Sequence, residues 1–163
     1  MRSLAALALV ATAAIAGGFG ASPAGAVGIP RPCTLLKPAE ITAAVDQPAG
    51  PGTDELVPHV CQWSLIATAD RAAGTVNAFV ERGKRSKRDY ALGAKLNAED
   101  VERVTGLGRK AFYAPSTGAL WVLEDASTLY YVQANVYDVD ATRITTGVKD
   151  ALVELAKQAE ARI

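Results

Sequence analysis

The sequence predicts one α+β domain in which helices pack on an antiparallel sheet. Short segments whose side chains alternate between apolar and polar, typical of strands, occur in runs separated by turn residues. Helical patterns interrupt these runs at only a few places, and this order is typical of a layered α+β fold. Half of the residues are hydrophobic and 21% are charged, a composition that suits a globular core.

The N-terminal segment, residues 1–26, predicts an export signal that is removed. Arg2 supplies a positive charge, Leu4 to Gly17 form an apolar run, and Ala24 to Ala26 offer the small residues that a signal peptidase recognises. An apolar run of about 14 residues is shorter than the roughly 20 that a membrane-spanning helix needs. We therefore expect cleavage after Ala26 and a single secreted, soluble domain over residues 27–163.

Cys33 and Cys61 are the only cysteines, and cysteines of a chain exported to an oxidising compartment normally pair. We expect a disulfide that contributes about 3.5 kcal/mol through loop closure. A structural zinc site takes about four ligands, whereas the chain adds only one histidine, His59, to these two cysteines. We expect neither a metal nor a cofactor.

The first helix is predicted from Pro38 to about Val45. Proline suits the first helical position, and Glu40 stands where a capping-box carboxylate reaches back to the helix start. The glycines and prolines that follow do not continue a helix, so residues 47–58 are predicted as a loop.

Strand patterns and two further helices account for the rest of the chain. Strands are predicted over residues 60–67, 74–81, 110–114, 119–123 and 129–137, and a helix over residues 86–95. The first two strands are expected to pair as a hairpin. A C-terminal helix is predicted to begin at Asp140, with an apolar stripe of Ile144, Val148, Leu152, Leu155 and Ala159.

The last predicted strand has two different faces. Its apolar side chains alternate with Tyr131, Gln133, Asn135 and Tyr137, so one face is apolar and the other is polar with aromatic rings. The polar face fits solvent contact, a ligand surface or cover by a helix.

Several short motifs occur in the order and spacing of a known family. They are Pro32-Cys33-Thr34-Leu35-Leu36, Pro38-Ala39-Glu40-Ile41, Cys61-Gln62-Trp63, Gly106-Leu107-Gly108 and Ala111-Phe112-Tyr113. With them, the mature chain resembles the domain-of-unknown-function 3558 family of secreted and lipid-anchored actinobacterial proteins. The resemblance implies a PsbP-like α/β/α sandwich, with helices on both sheet faces and at least partial cover of the polar face. It supplies no catalytic residues.

The glycines of Gly106-Leu107-Gly108 also match the spacing of a dinucleotide-binding motif. That motif needs a helix directly behind it, whereas the residues that follow predict a strand. We therefore interpret the segment as a turn that needs the backbone freedom of glycine.

The most basic segment of the chain lies at the start of the middle helix. Its basic residues are Arg82, Lys84, Arg85, Lys87 and Arg88. Positive charge at a helix start opposes the helix dipole, so a cluster there is a candidate site for an anionic partner, either phospholipid head groups or a cell-wall polymer. The alternative is a solvated face balanced by Glu81 and Asp89.

The overall charge argues against a nucleic-acid binder. Seventeen basic and seventeen acidic side chains balance, whereas nucleic-acid-binding domains are normally strongly basic. We expect a non-enzymatic binding or interaction domain at the actinobacterial cell envelope. The alternative is a hydrolase of envelope glycans or lipids, which needs two carboxylates at a set separation. Its candidate carboxylates are Glu81, Glu99, Asp100, Glu102, Glu124 and Asp125.

Overall fold

The computed structural model describes residues 28, 30–54, 57, 59–144 and 146–163. The export signal predicted over residues 1–26 lies outside the described residues. A short 3₁₀ helix spans Pro32–Thr34, and the α-helices of the described chain are α1 (Pro38–Val45), α2 (Ser86–Leu96) and α3 (Val148–Glu160). The strands are β1 (Ala49–Thr53), β2 (Val60–Leu65), β3 (Arg71–Arg82), β4 (Glu102–Val104), β5 (Lys110–Ala114), β6 (Ala119–Leu123) and β7 (Thr128–Asp138).

The seven strands of the described chain form one antiparallel sheet, in the order β1-β2-β3-β7-β6-β5-β4. Its centre is the long pairing of β3 with β7, which runs from Arg71 against Asp138 to Arg82 against Thr128. β2 and β3 pair as the expected hairpin. Because the helices pack on this antiparallel sheet, the predicted α+β fold is confirmed.

One face of the sheet packs against α1 and α3 and forms the main core. The hydroxyl group of Tyr130 in β7 donates a hydrogen bond to the carbonyl oxygen of Ala156 in α3 at 3.3 Å. The fully buried side chains include Ile41 of α1, Val76 and Ala78 of β3, and Leu152 and Leu155 of α3. Burying such aliphatic side chains is the largest favourable contribution to folding.

The opposite face packs against α2. Successive strand residues point to opposite faces, so Tyr131 lies on the side away from Tyr130, and its ring centroid is 4.9 Å from that of Trp121. A Cβ atom at Gly93 of α2 would lie 3.2 Å from the Trp121 ring, so glycine allows the helix to approach closely. Helices therefore lie on both faces of the sheet.

The prediction of a loop over residues 47–58 is wrong for the first half of that segment. Ala49–Thr53 forms the edge strand β1, paired with β2. Pro51 lacks an N–H group, which an edge strand tolerates because one of its sides is unpaired. A Cβ atom at Gly52 would lie 2.6 Å from Sγ of Cys61, so this strand needs glycine there. The glycines and proline that suggested a loop are thus features of a tightly packed edge strand.

The C-terminal helix begins at Val148 rather than at the predicted Asp140. The carboxylate of Asp138 accepts hydrogen bonds from the N–H groups of Asp140 and Thr142, at 3.1 and 2.9 Å, and so holds a turn there instead of a helix start. Gly147, with a φ of 78°, directly precedes the helix. The predicted apolar stripe is buried from Val148 onwards.

Cys33 and Cys61 form the predicted disulfide, with their Cα atoms 4.9 Å apart and a sequence separation of 28. The bond joins the 3₁₀ helix to β2 and closes a loop that contains α1 and β1. The 3₁₀ helix is therefore tied covalently to the sheet.

Candidate functional site

Lys84, Arg85, Lys87 and Arg88, together called the basic surface, lie on the turn between β3 and α2 and on the first turn of that helix. The N–H group of Gly83 donates a hydrogen bond to the carbonyl oxygen of Ser127 at 2.6 Å, and the hydroxyl group of the buried Ser86 donates to the same oxygen at 2.8 Å. Ser127 belongs to the turn between β6 and β7, so the basic surface stands on a backbone fixed to the sheet.

All four side chains of the basic surface are exposed. Nε of Arg88 lies 3.0 Å from a carboxylate oxygen of Asp89, and 70% of the Arg88 side chain remains exposed. Among the residues that the structure describes, Lys84, Arg85 and Lys87 have no ion-pair partner. Local acids therefore balance only one of the four positive charges by direct contact.

Arg82, predicted as part of the same cluster, lies apart from the basic surface. It is half-buried at the end of β3, and its guanidinium group donates to the carbonyl oxygens of Ile163 and Gly28. The five basic residues adjacent in sequence therefore separate into four on the surface and one bound to backbone near both ends of the described chain.

Three further cations near α2 were not predicted. Lys95 is exposed and follows Lys87 by two helical turns. Residues four apart are neighbours on one side of a helix, so the sequence spacing could have placed Lys95 on the same side as Lys87. Arg103 and Lys110 line a groove of about 310 Å³ beside α2, together with Tyr90. They come from β4 and β5, so only the fold brings them to this helix. Burial raises the pKa of Tyr90, and the nearby charge of Arg103 partly opposes that shift.

The part of the polar sheet face that α2 leaves open contains a cleft of about 230 Å³. Gln62, Asn77, Tyr131 and Gln133 are among its lining residues, and none of the described lining side chains is charged. The amide group of Asn77 donates to that of Gln133 at 3.4 Å, and Gln133 donates to the carbonyl oxygen of Thr117 at 2.9 Å. Burial raises the pKa of the Tyr131 phenol. This cleft offers amide and phenol groups to a neutral ligand.

The candidate carboxylates are mostly engaged in separate structural contacts. Asp100 accepts a hydrogen bond from the N–H group of Ser116 at 2.6 Å, and Glu102 lies 2.7 Å from Nζ of Lys149. The Asp125 carboxylate accepts hydrogen bonds within its own turn. Glu99 and Asp100 line one pocket of about 540 Å³, whereas Glu102 and Asp125 are not part of its described lining.

Glu124 is the exception, because it contacts a second carboxyl group, that of Glu160 in α3. Burial first, and then the hydrogen bond and charge of Glu160, raise the pKa of Glu124 from 4.5 to about 7. Glu160 also accepts a hydrogen bond from the N–H group of Gly108 at 3.0 Å. Glu160 was not among the predicted site residues, because it lies in a helix far along the chain from Glu124.

The geometry of this carboxyl pair differs from that of a glycosidase. The two catalytic carboxyl groups of a glycosidase stand at least about 5 Å apart, with the substrate between them. Glu160 instead lies close enough to Glu124 to raise its pKa, and Oε2 of Glu124 is buried with no hydrogen-bond partner among the described residues. Acids that interact in this way are unlike the separated acids of a glycosidase.

The glycine motif forms a turn, as predicted. Gly106 and Gly108 have φ values of 82° and 43°, and β5 follows two residues later. Because a strand follows the motif, there is no helix N-terminus at this position to bind a pyrophosphate. His59 is exposed, in the segment before β2.

No helix in the described part of the chain is both long enough and apolar enough to cross a membrane. The resemblance to the domain-of-unknown-function 3558 family stays a prediction, since it depends on short motifs alone. Comparison with protein-family models, curated proteins and solved structures gives no match for this chain.

Proposed function

We propose that the chain is a secreted, non-enzymatic binding domain of the cell envelope and that an anionic envelope component docks on its basic surface. The observation that carries the proposal is the set of exposed cations on a fixed turn, three of which have no ion-pair partner among the described residues. Each basic residue near an anionic surface contributes roughly 1 kcal/mol. Four such residues give about 4 kcal/mol, which corresponds to weak, reversible attachment.

The envelope location rests on features outside the basic surface. Residues 1–26 have the pattern of an export signal, and the Cys33–Cys61 disulfide suits an oxidising compartment. The resemblance to a family of secreted and lipid-anchored proteins supports the same location. Sequencing the N-terminus of secreted protein should give a chain that starts at Val27.

The alternative function, hydrolysis of envelope glycans or lipids, has weaker support. It needs two carboxyl groups on either side of a bound substrate. Glu160 lies close enough to Glu124 to raise its pKa, and the Asp100 carboxylate, which shares a pocket with Glu99, is hydrogen-bonded to the N–H group of Ser116. We therefore propose binding without catalysis.

The test is co-sedimentation of the mature protein with anionic vesicles and with an anionic wall polymer, at low and high salt. Changing all four residues of the basic surface to serine should abolish most of the binding at low salt, and high salt should weaken binding by the parent protein because exposed charges are screened. A matched control removes four exposed cations elsewhere, at Arg31, Lys37, Arg109 and Lys157. Equal binding by the basic-surface variant and the parent, or binding indifferent to salt, would contradict the proposal.

A further inference from the structure

The outward face of α2 carries apolar side chains that the rest of the described chain leaves uncovered. Leu92 is 51% exposed and Leu96 is 76% exposed. Helical residues four apart lie one above the other, so Arg88, Leu92 and Leu96 form one column on this face. Lys87 and Lys95 belong to the neighbouring column and are also exposed. Cations therefore lie beside the leucines on one side of the column, at Lys87 and Lys95, and at its N-terminal end, at Arg88.

The opposite face of α2 fixes this orientation. Ser86 and Gly93 are the buried residues of the helix. Gly93 lies directly over the ring of Trp121, and Ser86 is hydrogen-bonded to the carbonyl oxygen of Ser127. Rotating α2 to cover Leu92 and Leu96 would break both contacts. The exposure of the leucines is therefore a consequence of how the helix packs.

We propose that this face of α2 docks on an anionic phospholipid bilayer, with Leu92 and Leu96 entering the interface between head groups and acyl chains. The proposal rests on the proposed function and selects its partner, because a hydrophilic wall polymer has no apolar phase to take up leucine side chains. Helices that lie in a membrane interface combine exposed apolar residues with lysine and arginine in this manner. The long side chains of Arg88, Lys87 and Lys95 can keep their charges at head-group level while the leucines go deeper.

Charges around α2 suggest how the helix meets the bilayer. Arg103 and Lys110 line the groove beside α2 and extend the cationic surface on that side. Glu99 and Asp100 follow the C-terminal end of the helix, and Asp100 is turned towards the N–H group of Ser116. The cationic side of α2 therefore attracts the head groups, and the two acids lie beyond Leu96, after the helix has ended.

The experiment measures binding of the mature protein to vesicles of phosphatidylglycerol with phosphatidylcholine, to phosphatidylcholine vesicles, and to soluble polyphosphate. The variant Leu92→Ser/Leu96→Ser should bind the anionic vesicles at least about tenfold more weakly than the parent and bind polyphosphate equally. Because both leucines are exposed, its urea-unfolding midpoint should stay unchanged. The control is Ile66→Ser, which removes a side chain that is 56% exposed. Ile66 follows β2, and two strands, β3 and β7, separate β2 from β6, so this variant should bind like the parent.

Several outcomes would overturn the inference. They are equal vesicle binding by the leucine variant and the parent, an equal loss in Ile66→Ser, binding to neutral vesicles as tight as to anionic ones, and no binding of the parent to any vesicle. If the basic-surface variant still loses binding to polyphosphate or wall polymer, the proposed function survives while the choice of a bilayer fails. If the parent binds none of these probes, both fail.

Discussion

Replacing Glu124 by glutamine removes one of the two acids of the carboxyl pair and leaves the shape of the side chain nearly unchanged. In the folded protein, burial and the neighbouring Glu160 raise the pKa of Glu124 from 4.5 to about 7. Between these two pH values the folded state holds a proton that the unfolded chain has released. The stability of the parent protein must therefore fall as the pH rises from about 4.5 to about 7 and then level off.

The size of this effect follows from the pKa. Each tenfold change in the acid dissociation constant is worth about 1.4 kcal/mol, so a pKa raised from 4.5 to about 7 gives an upper limit of about 3 kcal/mol. Glu124 is only half-buried, and solvent screens part of this energy, so we expect about 1 to 2 kcal/mol. Glutamine stays uncharged and can donate its amide hydrogen to Glu160. Glu124→Gln should therefore be more stable than the parent at pH 8 and no more stable at pH 4.5.

Urea unfolding followed by tryptophan fluorescence at several pH values between 4.5 and 8 measures the difference. Glu154→Gln is the matched control, because it removes a carboxylate from the same helix as Glu160 at a position that is 55% exposed. The control should show no comparable change with pH. A constant difference between Glu124→Gln and the parent at all pH values, or a parent that gains stability from pH 4.5 to 8, would refute the reasoning.

Three further predictions concern stability and accessibility. Arg162 hydrogen-bonds to Glu40 and lowers its pKa to about 2. The variant Arg162→Gln should therefore be about 1 to 2 kcal/mol less stable than the parent in urea unfolding at pH 7. The difference in stability between variant and parent should shrink as the pH falls from 4.5 through about 2, because Glu40 then becomes protonated. Replacing Cys33 and Cys61 by serine should lower the free energy of unfolding by about 3.5 kcal/mol, and an unchanged urea midpoint would contradict the loop-closure estimate. Iodination of Tyr131 should be slow in the folded protein, because burial raises its pKa; labelling as fast as in urea would count against the packing of this ring.

The elements that the sequence predicts correctly are those whose signals are local. The start of α1 follows from Pro38 and Glu40, and the Glu40 carboxylate accepts a hydrogen bond from the N–H group of Lys37 at 2.9 Å. The bounds of β5 and β6 follow similarly from short apolar runs separated by the turn residues Pro115 and Gly118. β1 is not predicted, because glycine and proline are normally signals of a loop. Gly52 is needed for close contact with β2, and Pro51 is tolerated because β1 is an edge strand, and neither reason is visible in the local sequence.

The candidate surfaces show the same division between local and distant causes. A run of charges predicts the exposed lysines and arginines of the basic surface, but only the fold shows that Arg82 turns towards the carbonyl oxygen of Ile163. The contact between Glu124 and Glu160 joins the end of a strand to the end of the last helix. Leu92 and Leu96 look like core residues until the packing of Gly93 on Trp121 shows which side of α2 faces the sheet.

The two faces of the sheet contribute unequally to the core. The face under α1 and α3 holds most of the fully buried aliphatic side chains, so substitutions there leave cavities and lower stability by several kcal/mol. The other face meets α2 through Ser86, Gly93 and the ring of Tyr90, which packs edge-on against Phe112, and the outward side chains of that helix contribute little to the core. Surface substitutions away from buried contacts usually change stability by less than about 0.5 kcal/mol. The charge and apolar character of α2 can therefore change to suit a partner while the fold beneath it stays the same.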